Sequence, residues 1–116
     1  MKIHHYHDVQ ELHDAPGVVR RVVIGAEHGA PRFVMRVFEL APGSSTPFHS
    51  HWWEHEVFVL SGEGLFKCNG SETPVRAGMA VFVAPEEQHC FSNTGGDTLR
   101  FICVIPLAAA APPPAR

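Results

Sequence analysis

Histidine is the residue type that points most directly to chemistry in this chain, which has nine of them among 116 residues. Three, at positions 49, 51 and 55, fall in the segment HSHWWEHE and share one parity. Side chains two residues apart on a strand project to the same face, so His49 and His51 can hold one ion together. His55 joins them if a bend at Trp52 and Trp53 preserves the phase.

A fourth histidine, His89, lies far along the chain, and an adjacent strand of a barrel can bring it to the same place. Neutral imidazole suits borderline divalent transition ions, so four imidazoles facing inward predict a metal site. The alternative is surface or hydrogen-bonded histidines, the ordinary state of any one taken alone. Shared parity favours the metal site for the set. For the histidines of the polar N-terminal segment we expect adventitious metal affinity at most: His4, His5, His7 and His13.

Strands must position these histidines. Val, Ile and Phe together far outnumber Leu, and β-branched and aromatic side chains fit a pleated, half-buried surface. Short apolar runs alternate with Gly, Pro and Asn-Gly turns, and Gly62 and Gly64 are typical of a hairpin bend. Closing the sheet avoids exposed edges, so we predict an all-β sandwich or barrel. The predicted strands are 18–24, 33–40, 56–60, 65–68, 73–76, 79–83, 90–92 and 99–105.

The length allows one domain with one core. Hydrophobic residues make up 45% and charged residues 18% of the chain, which is typical of a globular protein. We predict a polar arm over 1–17, a barrel over 18–106 and an Ala/Pro tail over 107–116 that is disordered or loosely docked.

Charge and cysteine content exclude several partner classes and suggest a compartment. A net charge of −3 without clustered Lys and Arg argues against nucleic acid and membrane surfaces as partners. The three cysteines have no paired spacing, which argues against a disulfide framework and favours a reducing compartment. The N-terminal segment has no apolar core of a secretory signal. We therefore expect a cytoplasmic protein.

Two segments resemble the two motifs of the cupin family, and together they are specific. The resemblance implies a jelly-roll barrel, also called a double-stranded β-helix. The usual glutamate ligand of the first motif is replaced by His55, and in the second motif Ala84 replaces a proline and Glu86 a glycine. The matching positions are Gly43, His49, His51, position 55 and Gly62 in the first motif, and Gly78, His89 and Asn93 in the second.

The segments WEHEVFVLSGEG, RFVMRVFEL and RFICVIP also resemble the small manganese cupins in which four histidines hold the metal. This resemblance implies an octahedral site with two adjacent open positions and the ligands His49, His51, His55 and His89. It makes manganese the first expectation, although imidazole ligands also accept Fe, Ni, Zn or Cu. It further implies that Phe101 and Cys103 line the metal cavity.

Other residues have two interpretations each. Arg36, in an apolar strand, either meets an anionic substrate or faces water. A plain core role is the alternative for Phe101, and Cys103 is either an oxidation target beside a redox metal or a small buried hydrophobe. Candidates to hold the outer ring nitrogens of the ligands, with a solvated surface as the alternative for the two glutamates, are Glu54, Glu56, Gln88 and Asn93.

Four neutral ligands leave the full charge of a dication in place, so we expect an electrophilic site that favours anionic, oxygen-bearing small molecules. The first functional hypothesis is a metal-dependent oxidoreductase of the dioxygenase or oxidative-cleavage type. The alternatives are a non-catalytic ligand-binding or metal-sensing protein and a metal-dependent isomerase or lyase. Small cupins resemble one another in forming homodimers, and the apolar residues on both faces of 33–40 agree with a covered sheet.

Overall fold

The structure, a computed structural model, describes residues 1–110, and its regular elements are almost all strands. This confirms the all-β prediction. The only helical elements in this part of the chain are single 3-10 turns at Tyr6–Asp8, Ala26–His28 and Leu107–Ala110. The eight strands are β1 (Val18–Ile24), β2 (Phe33–Leu40), β3 (His55–Ser61), β4 (Glu63–Cys68), β5 (Ser71–Arg76), β6 (Ala80–Val83), β7 (His89–Ser92) and β8 (Leu99–Pro106).

The strands form two antiparallel sheets that pack into a jelly roll. The larger sheet has the order β1-β2-β8-β3-β6, and the smaller has the order β5-β4-β7. Along β3, Val57 and Val59 are buried while Phe58 is exposed, as a strand with one face toward a core requires. Side chains from both sheets, including Phe91 and Phe101, meet in that core.

The bend at Gly62 connects the two sheets, so it is not the hairpin that its glycines suggested. β3 belongs to the larger sheet and β4 to the smaller. Gly62 has φ 85°, and a Cβ atom there would overlap the backbone carbonyl of Thr98. Only glycine satisfies both conditions without strain, and the sharp change of direction follows.

The N-terminal segment packs against the outer face of the larger sheet. The Arg21 guanidinium donates to Glu11 at 2.7 Å, and the Tyr6 ring lies 5.4 Å from the Arg21 guanidinium carbon. Where the arm could have added an edge strand, the structure has a single β-bridge between Leu12 and Arg20.

The described chain ends in a 3-10 turn whose Leu107 N–H donates to the Arg32 carbonyl at 2.8 Å. The rest of the predicted Ala/Pro tail, 111–116, lies outside the described residues. Within 1–110 no helix has the length and hydrophobicity needed to cross a membrane.

Candidate functional site

Main-chain hydrogen bonds place two of the four histidines side by side. The His49 N–H donates to the His89 carbonyl at 3.2 Å, and the His89 N–H donates to the His49 carbonyl at 3.0 Å. His89 opens β7 and His55 opens β3. The loop between β2 and β3 therefore contacts β7 of the smaller sheet, next to the start of β3 in the larger sheet.

The four imidazoles lie together, as the sequence predicts. The distances between ring centroids are 4.2 Å for His49–His51, 4.7 Å for His55–His89, 5.3 Å for His51–His55, 5.7 Å for His49–His89 and 6.2 Å for His51–His89. His55 and His89 are buried, whereas His49 and His51 are half-buried. The set therefore has an inner and an outer pair.

The local structure that joins them differs from the predicted one. His49 and His51 lie in the loop before β3, not in a continuous strand, and the chain bends at Trp52 and Trp53. The Trp53 ring stacks on His51, with centroids 4.1 Å apart and planes 13° from parallel. Nothing in the parity pattern indicates this stacking, which orients an imidazole that no strand holds.

Three of the site histidines, His49, His51 and His55, are neutral at pH 7. Burial is the largest cause, and it lowers the pKa of His55 to about 3 and that of His51 to about 4. Burial also lowers the pKa of His49, with a smaller contribution from His89. The positive charge of Arg36 lowers all three pKa values further. Neutral imidazoles have free lone pairs, the form in which histidine binds metals.

A backbone carbonyl, not a predicted side chain, holds His89. Its Nδ1 donates to the Glu87 carbonyl at 2.8 Å, which leaves Nε2 with its lone pair. A carbonyl carries no residue-type signal, so sequence reasoning could not find it. Glu54, Glu56 and Gln88 are exposed, and buried Asn93 donates to the carbonyls of Leu40 and Asp97. None of these four residues forms a hydrogen bond with a site histidine in the described structure.

The rings are gathered but their donor atoms do not converge. Within residues 1–110, no group of three or more His, Cys, Asp or Glu side chains is arranged, as it stands, to hold a metal ion. Nδ1 of His55 is shut off from solvent and has no hydrogen-bond partner. A buried imidazole nitrogen without a partner is costly, and ligands and ions are among the groups that relieve this cost.

The histidines line one end of a cavity of about 280 Å³. Arg36, Phe101 and Cys103 also line it, so the structure places all three beside the histidines. Arg36 faces the cavity, whereas the alternative interpretation of this residue placed its side chain in water. Sequence reasoning missed Asp14 and Arg20 at this cavity, because residue 14 belongs to the arm and Arg20 lies in a strand with no polar pattern.

Comparisons with known proteins agree with this architecture. The oxalate-binding protein of Thermotoga maritima is 41% identical over 81 residues, which are 69% of this chain and 66% of that protein. This chain therefore spans slightly less than two thirds of that relative's length.

Solved structures are similar over most of the chain. The polyketide cyclase RemF from Streptomyces resistomycificus superposes with a TM-score of 0.84 and 37% identity, covering 92% of this chain and 80% of that one. A predicted oxalate decarboxylase from Thermotoga maritima has a TM-score of 0.77 and 30% identity, covering 91% of this chain and 99% of that one. Residues 36–105 match the family described as the cupin domain. Because that match covers more than half of the chain, the protein belongs to the cupin family.

Proposed function

We propose that this cupin binds one divalent transition metal ion through His49, His51, His55 and His89 and acts as a metal-dependent enzyme on a small oxygen-bearing molecule. The observation that carries the proposal is the gathering of four imidazoles in the lining of one cavity. Manganese is the first expectation, on the resemblance to four-histidine cupins. Fe, Ni, Zn and Cu suit the same donors.

The ring positions fit a shared ion. With nitrogen about 2.1 Å from the metal, ring centroids of opposite ligands lie about 6.5 Å apart and those of adjacent ligands lie closer. The five separations given above run from 4.2 to 6.2 Å. The proposal requires ring rotations that converge the donor atoms, and these backbone positions already bring the rings together.

The chain's own residues would bind, orient and shield the ligand. When bound, the metal supplies Lewis acidity and, with Mn or Fe, redox capacity. The Glu87 carbonyl keeps Nε2 of His89 available. Phe38, Phe91 and Phe101 form an apolar wall that excludes water from the inner end of the cavity. Electrostatic interactions beside an apolar surface that excludes water are stronger than the same interactions in solvent.

Within this proposal an oxidoreductase of the dioxygenase or oxidative-cleavage type is the first hypothesis, and non-catalytic binding of a small ligand is the alternative. The relative named as an oxalate-binding protein supports the second. The likeness to a polyketide cyclase supports a third candidate, a ring-closing or isomerising reaction without net oxidation, because it extends over 92% of this chain.

Metal loading followed by turnover assays tests the proposal. The full chain is loaded in turn with Mn, Fe, Ni, Cu and Zn, bound metal is measured by mass spectrometry, and consumption of O₂ is followed with enols, diketones and alkenes. We expect one ion per chain and none in a variant with all four histidines changed to Ala. Retention of the ion by that variant would overturn the site. Loaded protein that consumes no O₂ with any of these compounds would overturn the oxidoreductase hypothesis.

We also propose a homodimer formed through the outer face of the larger sheet. Phe58, Phe82, Ile102 and Val104 line one apolar groove there. Phe58 is 47% exposed and Phe82 is 60% exposed. Exposed apolar patches of this kind mark contact surfaces.

A cytoplasmic location completes the proposal. Cys68, Cys90 and Cys103 are free thiols, and Cys90 and Cys103 are buried. Free cysteines are typical of a reducing compartment.

A further inference from the structure

Arg36 is a cation in the cavity without a carboxylate partner among the described residues. Its Nη2 donates to Cys103 Sγ at 3.0 Å, and its guanidinium carbon lies 5.0 Å from the centre of the Phe38 ring. Its Nε is buried and has no hydrogen-bond partner. Sulfur is a weak acceptor, so the contacts in the protein leave this charge poorly compensated. Charged groups in such surroundings are normally paired.

The rest of the cavity does not supply the missing negative charge. Among the described residues that line it, Asp14 is the only carboxylate. Its two oxygens accept from Arg20, at 2.8 Å from Nε and 3.1 Å from Nη2. An imidazole that binds a metal adds no charge of its own, so with a divalent ion bound the cavity would hold three positive charges, two from the ion and one from Arg36, besides the balanced Asp14–Arg20 pair. An anionic ligand would bring the compensating negative charge.

Unsatisfied donors point to the same conclusion. Four buried side-chain nitrogens lack a partner within residues 1–110, and three of them belong to residues that line this cavity: Arg36, Trp53 and His55. Guanidinium and indole N–H groups donate and never accept, so their partner must carry acceptor atoms. Both nitrogens are shut off from solvent as the structure stands, so oxygen atoms of an anion would meet that need after the two side chains turn toward the cavity.

The walls indicate the remainder of the ligand. Phe38 and Phe101 stack with centroids 5.0 Å apart, and Phe91 lies 4.5 Å from Phe101. Val57 and Val83 line the same cavity. Its volume of about 280 Å³ would hold about nine water molecules at about 30 Å³ each. A two-carbon dianion would leave most of this apolar surface facing water, whereas an aromatic ring would cover it.

Building on the proposed metal site, we propose that Arg36 recognises the anionic oxygen of the ligand and that the ligand joins this anionic, chelating head to an aromatic or similarly apolar body. An aromatic 2-oxo acid or an acidic enol has this chemistry. The Arg36 guanidinium selects the anionic head, because its charged N–H groups form hydrogen bonds in a fixed planar arrangement. The phenylalanine wall selects the body.

Three small molecules test the anionic head and the aromatic body of the ligand separately. Phenylglyoxylate carries a 2-oxo acid head and a phenyl body, pyruvate has the same head with a methyl group, and 1-phenylpropane-1,2-dione has the phenyl body without the charge. Each is titrated by calorimetry into full-length protein loaded with Mn(II) under nitrogen. We expect phenylglyoxylate to bind at least about tenfold more tightly than either of the others, since ring burial and ion pairing each contribute at that scale. Equal affinity for phenylglyoxylate and pyruvate, or for phenylglyoxylate and the dione, would overturn the proposal without any variant.

Arg36→Gln tests the residue itself. We expect it to weaken phenylglyoxylate binding by about ten- to a hundredfold and to change dione binding by less than about threefold. Arg36→Lys should restore part of the loss, because the charge returns without the fork. The matched control is Arg32→Gln, which removes an exposed arginine outside the cavity and should change nothing. Unchanged phenylglyoxylate affinity in both Arg36 variants would refute the assignment.

Metal content is measured on each sample before titration. It distinguishes a failure of the proposed metal site from a failure of the inference about Arg36. Wild-type protein that retains neither Mn(II) nor any of the other four ions overturns the proposed metal site. Protein that retains the ion but fails the ligand comparisons overturns only the inference about Arg36 and the apolar body.

Discussion

His55 occupies the position at which the cupin motif usually has glutamate, and it is also one of the most buried of the four site histidines. A glutamate there would cancel part of the charge of a bound dication, whereas an imidazole cancels none. With the proposed dication bound, the substitution would therefore make the cavity more attractive to anions. This agrees with the unpaired charge of Arg36 in the same space.

Replacing His55 by Ala should weaken metal retention by about ten- to a hundredfold or more, because one of four donors is lost. Retention is measured by competition with a chromophoric chelator, and circular dichroism checks that the fold is kept. His7→Ala is the control, since His7 is exposed in the N-terminal segment. Equal loss in both variants would show that His55 is not a ligand.

Acid should destabilise the metal-free protein through the same histidines. Burial lowers the pKa of His55 to about 3 and that of His51 to about 4, from 6.5. Between these values the unfolded chain binds more protons than the folded chain, so the free energy of unfolding falls as pH drops below about 6.5 and levels out near the folded pKa values. Urea unfolding from pH 7 to pH 4 measures the slope. His55→Ala should flatten the slope, and an unchanged slope would contradict this origin.

The grouping of the four histidines is the part of the site that the sequence predicts best. Parity indicated the group of histidines, and side chains from both motifs do meet. The tripeptide containing His49 and His51 nevertheless lies in a loop, because reciprocal hydrogen bonds with His89 fix His49 without a continuous strand. The Glu87 carbonyl and the Trp53 stacking were out of reach, since both depend on backbone course and not on residue type.

At the scale of elements, the passage from β3 to β4 is the feature most dependent on one residue. Gly62→Ala should cost about 1 kcal/mol for the left-handed backbone and a further 2 kcal/mol or so for overlap with the Thr98 carbonyl. Gly29 is a matched control, because it has the same φ of 85° and no atom within 4 Å of a Cβ built there. Urea unfolding of both alanine variants gives the difference. Equal losses would mean that close approach contributes nothing.

Strand positions were largely predictable because apolar runs alternate with Gly, Pro and Asn-Gly turns. Which sheet each strand joins was not predictable. Gly62 and Gly64 have the local pattern of a hairpin, yet they turn the chain from one sheet into the other. That choice depends on packing against Thr98 and Ser92, which are distant in sequence.

At the scale of the molecule, the outer face of the larger sheet should mediate dimerisation. Phe82→Glu places a charge in the apolar groove and should shift the protein from dimer to monomer, because burying an unpaired carboxylate is costly. Sedimentation velocity at micromolar concentration measures the shift. Phe48→Glu is the control, since Phe48 is 54% exposed but lines a different groove. A wild-type protein that sediments as a monomer would exclude the interface.

The reciprocal bonds between His49 and His89 have a consequence for how the protein meets its ion. The main chains of two donor-bearing residues from distant stretches of sequence are joined during folding, so only their rings would have to be ordered when an ion binds. A zinc-finger peptide folds only around its metal, whereas this site should keep its fold when the ion is removed and should bind a replacement ion. Occupancy of the proposed site would then follow the supply of ions in the surrounding medium and the competition among them.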